Sequence, residues 1–210
     1  MRQPNRLPIY IGEVGGWVFI LFMIIAMAIT PRIEMHLILN KYHTPFLDAF
    51  FRTLTHIGGN LPWIVCAIMI FVKMWKGVML TLAQLIATII VQPIKHLLHH
   101  PRPITVFNEA NIDLPIVEGV NLHAWNSFPS GHTAAAFALM LGIAVFLPKW
   151  WQKSICLIFA ILAGYSRIYL SQHFLDDVVA GAIIGIVSVY IAMLFYKKET
   201  LNGNKKQEVK

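Results

Sequence analysis

The chain has 210 residues, of which 57% are hydrophobic and 13% charged, and it carries a net charge of +7. A water-soluble domain holds about 25% charged residues, so this balance excludes an ordinary soluble globule and indicates an integral membrane protein. The basic residues are spread along the chain rather than gathered in one patch, which argues against nucleic acid as a partner.

The N-terminal stretch MRQPNRLPIY lacks a short apolar region followed by a small-residue cleavage site, so the first apolar run reads as a retained helix. Runs free of Lys, Arg, Asp and Glu occupy 14–31, 53–72, 77–94, 119–148 and 178–196, with a shorter one at 154–166. Crossing a bilayer takes about 20 apolar residues. Residues 119–130 read as loop, which starts the fourth helix near Ser130, and the 154–166 run reaches full length by including Arg167 and Tyr169. The expected fold is all-α, a bundle of six transmembrane helices. Residues 1–198 form one membrane domain and 199–210 a polar tail. Cys66 and Cys156 sit inside apolar runs, so no disulfide framework is expected.

Lys and Arg placement sets the orientation. With both termini cytoplasmic, Arg2, Arg6, Lys73, Lys76, Lys149, Lys153, Lys197, Lys198, Lys205, Lys206 and Lys210 fall inside. Arg32, Lys41, Arg52, Lys95, Arg102 and Arg167 fall outside, and so do all nine histidines. Between the first two spans, Thr44-Pro45 reads as a helix start. Leu47, Phe50, Phe51 and Leu54 then repeat at helical spacing, as in a helix lying in the outer interface. Gly181 and Gly185 suit close helix contact within the bundle.

Three polar clusters fall at outer helix ends. The first runs from Lys95 through His96, His99 and His100 to Arg102-Pro103. In the second, Phe128-Pro129-Ser130-Gly131-His132, Ser130 is a natural N-cap and Gly131 lets an anion approach the unpaired N–H groups of a helix start. The third holds Ser166-Arg167, His173 and Asp177. If residues 173–177 are helical, His173 and Asp177 share a face, so the carboxylate fixes the imidazole tautomer and frees the other nitrogen to attack. Each cluster alone has a plainer reading, as an ion pair or cap at a helix end. Their convergence on one membrane face describes phosphoryl chemistry, because ionisable groups at spans are costly and usually functional.

These residues resemble the type 2 phosphatidic acid phosphatase (PAP2) superfamily of membrane lipid phosphatases. Its motif K-x6-R-P is matched by Lys95 and Arg102-Pro103, P-S-G-H by Pro129 to His132, and S-R-x5-H-x3-D by Ser166-Arg167, His173 and Asp177. The resemblance implies a catalytic set of His173, His132 and Asp177. His173 would form a phosphohistidine, Asp177 would orient it, and His132 would protonate the leaving oxygen. Lys95, Arg102, Ser130, Gly131 and Arg167 would bind the phosphate. It implies no cofactor and no metal, and no obligate protein partner.

The expected activity is hydrolysis of a lipid phosphate at the periplasmic face of a bacterial inner membrane. Candidate substrates are phosphatidylglycerophosphate, phosphatidate, undecaprenyl diphosphate and a lipid A phosphate. A lipid phosphotransferase sharing the site, or a non-catalytic phospholipid-binding or transport protein, are the rivals. Asp176 competes with Asp177 for the carboxylate role but falls off the spacing. His96, His99 and His100 are spaced to cluster on a helix face, yet the crowded cations disfavour a metal there, and they read as residues lying in the interface. The 104–128 loop, with Glu109, Asp113, Glu118, His123 and Trp125, is long enough to fold over the site.

Overall fold

The computed structural model describes residues 17, 18 and 21–208, with side chains described as far as residue 196. All regular structure among them is helical. The helices are α1 (Leu21–Ile29), α2 (Arg32–Leu39), α3 (Pro45–Leu54), α4 (Leu61–Val72), α5 (Met74–Leu98), α6 (Pro103–Glu109), α7 (Gly131–Val145), α8 (Trp150–Tyr169) and α9 (Leu175–Glu208). A 3-10 turn, Thr55–Gly58, follows α3.

Several of these elements match the sequence expectation for a local reason. Thr44 caps α3, its hydroxyl accepting from the Leu47 N–H at 3.2 Å, and Pro45 costs no hydrogen bond in the first turn. Phe51 and Leu54 turn inward while Phe46 stays exposed to what would be lipid or interface. Ser130 caps α7, and α8 runs on through Arg167 to Tyr169.

Other expectations need correction. The 53–72 run is not one helix: α3 with its 3-10 turn and α4 meet at a 49° bend. The reason is Gly58. A Cβ there would stand 2.0 Å from the carbonyl oxygen of His132, so the chain kinks where its backbone is pressed against the start of α7. α2 follows the end of the first run at a 120° bend, with Pro31, the last residue of that run, at the break. The six-span expectation is not reached by helix length and composition alone. Among the described residues two helices, α5 and the Leu175–Tyr196 part of α9, are long and apolar enough to cross a membrane, and up to four qualify if each bent pair counts as one. α7 is apolar but only 15 residues long, about 22 Å at 1.5 Å per residue. The terminal Lys and Arg that set the inside face, Arg2, Arg6, Lys197, Lys198, Lys205, Lys206 and Lys210, lie outside the described side chains.

α7 is the central element, lying against α5, α8 and α9. Gly181 and Gly185 seat α9 on it: a Cβ at either position would come within 2.4 Å and 2.6 Å of the Ser130 and Ala134 carbonyl oxygens. The small residues therefore serve contact inside the bundle. One apolar cluster, including Phe137, Ala160, Ile168 and Val179, fills the space between α7, α8 and α9. A second, including Leu80, Ala83, Ala138 and Val189, joins α5 to α7 and α9. This packing holds the ends of α5, α7, α8 and α9 together at one end of the bundle.

Candidate active site

Each site residue comes from the end of an element. Lys95 lies in the last turn of α5, and Arg102 is the N-cap residue of α6. Gly131 and His132 open α7, and Arg167 closes α8. Asp177 is in the first turn of α9. His173, expected to share a helix with Asp177, instead sits in the loop before Leu175. That loop turns at Ser171, whose φ is 52°, and its hydroxyl accepts from Asn40 at 2.8 Å while donating to the Pro115 carbonyl at 2.6 Å.

The structure brings Lys95, Arg102, Gly131, His132, Arg167 and His173 to the wall of one cavity of about 710 Å³. Ser130 and Asp177 stand behind this wall, both fully buried. The Ser130 hydroxyl accepts from the Thr133 N–H at 3.3 Å and the Thr133 hydroxyl at 2.9 Å, so it is committed to capping. Its own N–H donates to the Asp177 carbonyl at 2.9 Å. The first N–H groups of α7, from Gly131 and His132, have no place in the helical ladder and suit an anion in the cavity.

His173 is 1% exposed. Its Nδ1 lies 3.5 Å from Asp177 Oδ2 and 3.4 Å from Ser127 Oγ. Ser127 Oγ in turn donates to the same carboxylate oxygen, which also accepts the Phe174 N–H at 2.9 Å. With a proton on Nδ1 directed at these oxygens, Nε2 is the nitrogen with a free lone pair. Burial, and behind it the charges of Arg167, Arg102, Lys95 and the neighbouring His132, hold this imidazole well below the ordinary histidine range, which favours its neutral form.

The cations are held by neutral groups. Lys95 Nζ donates to the Asn126 carbonyl at 3.0 Å. Arg102 donates from Nε to the Trp125 carbonyl at 3.0 Å and from Nη1 to Gln172 Oε1 at 2.9 Å. Arg167 Nη1 donates to Thr55 Oγ1 at 2.7 Å, and its buried Nε has no partner. Three side chains positioned by uncharged acceptors keep their full charge for a ligand.

Asp176 turns away from this constellation to Arg32, whose Nη2 lies 3.0 Å from its carboxylate and 3.4 Å from Asp177 Oδ1. Arg32 also covers the Phe174 ring at 3.9 Å. Sequence reasoning missed Arg32 and Ser127 as site residues. Neither belongs to a periodic pattern, and each reaches Asp177 only through tertiary folding. His99 stacks on Trp125 and His100 lies against Phe128, so these imidazoles spread along the loop rather than converge. That loop is not all irregular, because α6 takes up its start. The rest is strapped across the site, with Gln172 Nε2 donating to the Asn121 carbonyl at 2.8 Å.

Residues 73–201 match the PAP2 superfamily. The chain belongs to that superfamily. It is 27% identical over 206 residues to an undecaprenyl-diphosphatase of Sulfolobus acidocaldarius, covering 96% of this chain and 90% of that protein. Among solved structures, Aquifex aeolicus LpxE superposes with a TM-score of 0.65 at 32% identity, over 78% of this chain and 95% of that one. A PAP2-type phosphatidylglycerolphosphate phosphatase from Bacillus subtilis also gives 0.65, at 25% identity, over 88% and 96%.

In this PAP2 chain, Ser127→Ala is expected to leave Asp177 Oδ2 short of one buried donor and to loosen the His173 ring. We expect kcat on a phosphorylated lipid to fall about ten-fold with KM little changed, as steady-state phosphate release would register.

Proposed function

We propose that this chain is an integral membrane lipid phosphatase that works through a phosphohistidine on His173. The observation that carries this reading is a buried imidazole whose Nδ1 is backed by Asp177 and Ser127, facing a cavity ringed by Lys95, Arg102 and Arg167. Binding alone has no use for an oriented nucleophile. Superfamily membership and the phosphatase names of the relatives support the same class.

In the proposed reaction the phosphate is cradled by the three cations and the first N–H groups of α7, while Ser130 keeps that helix start capped. The lone pair on His173 Nε2 forms a bond to phosphorus, and the bond from phosphorus to the lipid oxygen breaks. His132, which takes up a proton once the bound phosphate offsets the surrounding cations, gives that proton to the leaving oxygen. It then takes a proton from the water whose oxygen attacks phosphorus and breaks the P–N bond, releasing inorganic phosphate. Asp177 stabilises the positive charge that His173 acquires. The cations offset the negative charge on the phosphoryl oxygens throughout, the role for which other phosphoryl-transfer sites use metal ions. We read the chain as six spans with cytoplasmic termini and the site at the periplasmic face of a bacterial inner membrane. The charge bias along the sequence supports this orientation.

The test is phosphate release by the purified full-length protein in detergent with EDTA present, against phosphatidate, phosphatidylglycerophosphate, undecaprenyl diphosphate and phosphorylated lipid A. We expect turnover of at least one lipid and no loss on chelation. A folded protein that turns over none of them would overturn the reading, and loss of turnover on chelation would remove its metal-independent form.

A further inference from the structure

The cavity holds one cation that none of the three motifs contains. Arg52, on α3, lines the same wall as Lys95, Arg102 and Arg167. It stands one helical turn before Thr55, on the same face, and Thr55 is the residue that holds Arg167. Its guanidinium donates from Nη1 to the Glu118 carbonyl at 3.1 Å and passes over Gly119, a residue at φ 77°. A Cβ at Gly119 would be 3.6 Å from Arg52 Nη1. The arginine is thus fixed in place through one backbone oxygen, and the rest of its donor fork is left over.

Charge balance says what those donors meet. The cavity wall carries four Lys and Arg side chains, Arg52, Lys95, Arg102 and Arg167, and no Asp or Glu. Among the described residues none of the four is in an ion pair. A phosphate monoester brings a charge of about −1.5 to −2 at neutral pH, so a single one leaves roughly two positive charges uncompensated in a partly buried site. The volume agrees. About 710 Å³ is the size of a site for a whole drug-sized group, far more than one phosphoryl group fills.

We propose that Arg52 binds a second phosphate group of the substrate, so that the preferred lipids carry two phosphates. This rests on the phosphatase reading and narrows it: a lipid diphosphate, or a lipid joining a phosphomonoester to a phosphodiester, is favoured over phosphatidate. Arg52, at the wall nearest the Glu118–Gly119 strap, takes the phosphate that is not transferred, and the motif cations take the one that is.

The experiment compares wild type, Arg52→Gln and Arg52→Lys, full-length in detergent, on undecaprenyl diphosphate, phosphatidylglycerophosphate and phosphatidate. Wild type is expected to favour at least one two-phosphate lipid over phosphatidate in kcat/KM. Arg52→Gln keeps an N–H donor but no charge, and should lower that ratio about ten- to a hundred-fold. Arg52→Lys should retain most of it. Which two-phosphate lipid loses its advantage tells whether the two groups are joined directly or through glycerol. A purely structural tie to Glu118 predicts equal losses on all three lipids and an unchanged ratio. That result, or a wild-type preference for phosphatidate, would overturn the proposal.

A binding arm separates this from failure of the phosphatase reading. In the His173→Ala background, calorimetry with inorganic pyrophosphate, a glycerol bisphosphate and inorganic phosphate should give at least ten-fold tighter binding of one of the first two than of inorganic phosphate, and Arg52→Gln should abolish the difference. If neither pyrophosphate nor a glycerol bisphosphate bound the His173→Ala protein more tightly than inorganic phosphate does, the Arg52 assignment would be overturned whether or not any lipid is hydrolysed.

Discussion

Replacing His173 with alanine is expected to lower kcat by about 10⁴- to 10⁶-fold on any lipid the protein hydrolyses, because no other group on the cavity wall is backed as a nucleophile. The ring is almost wholly buried at the cavity wall, so loss of packing has to be separated from loss of chemistry. His173→Gln keeps most of the volume and should be as inactive, with a thermal unfolding midpoint in detergent close to wild type. Acid-labile 32P bound to wild-type protein after a rapid quench, and absent from both variants, would identify the covalent nitrogen. A variant that is folded and turns over at the wild-type rate would rule out attack by this imidazole.

Asp177→Asn has the second largest expected effect, about 10³- to 10⁴-fold in kcat with KM changed only a few-fold. The substitution is nearly isosteric, yet the site has no room for an amide. Oδ2 accepts from Ser127 and from the Phe174 N–H, and faces His173 Nδ1, while Oδ1 accepts from Arg32 at 3.4 Å. An NH2 group at the first position meets donors; at the second it meets a guanidinium. Either rotamer also withdraws the charge that stabilises a phosphorylated His173, and an amide hydrogen aimed at Nδ1 favours the tautomer with its proton on Nε2, where the attack must start. Single-turnover kinetics would show the loss in phosphoenzyme formation. An Asp177→Asn protein within a few-fold of wild type would mean that Ser127 alone orients the ring.

The site was more legible in the sequence than the fold around it. Polar residues in apolar runs are conspicuous, and Lys95, Arg102, His132, Arg167 and His173 were recognisable by type and spacing before their convergence on one cavity was known. What the sequence hid were relations that depend on which chain lies opposite. Residues 53–72 read as continuous because nothing in their composition reveals that the His132 backbone is pressed against Gly58. Ser127 looked like a loop serine, and Arg32 like a topology charge, since both acquire meaning only where α9 begins. Ser130 was read correctly as a cap, but the cap occupies its hydroxyl and turns the side chain behind the wall. Arg52 was visible only as one of the outer cations.

The bond from the Ser130 N–H to the Asp177 carbonyl divides the molecule mechanically. With Gly181 and Gly185 holding α9 against α7, the groups on which His132, His173 and Asp177 depend are joined backbone to backbone and behave as one stiff plate. The facing wall is fastened differently. α3 is tied to the 110–126 strap by the Arg52 side chain on the Glu118 carbonyl and by Phe51 and Leu54 packed with Val117, and the strap to the His173 loop by Gln172 and Ser171 side chains and to residues 100–102 by backbone bonds at Ala124 and Ser127. Side-chain ties of this kind release at about 1 kcal/mol each, whereas parting α7 from α9 would strip a close-packed seam. The reactive groups thus sit on the more tightly joined side of the cavity, and widening for a bulky lipid is expected on the side of α3 and the strap.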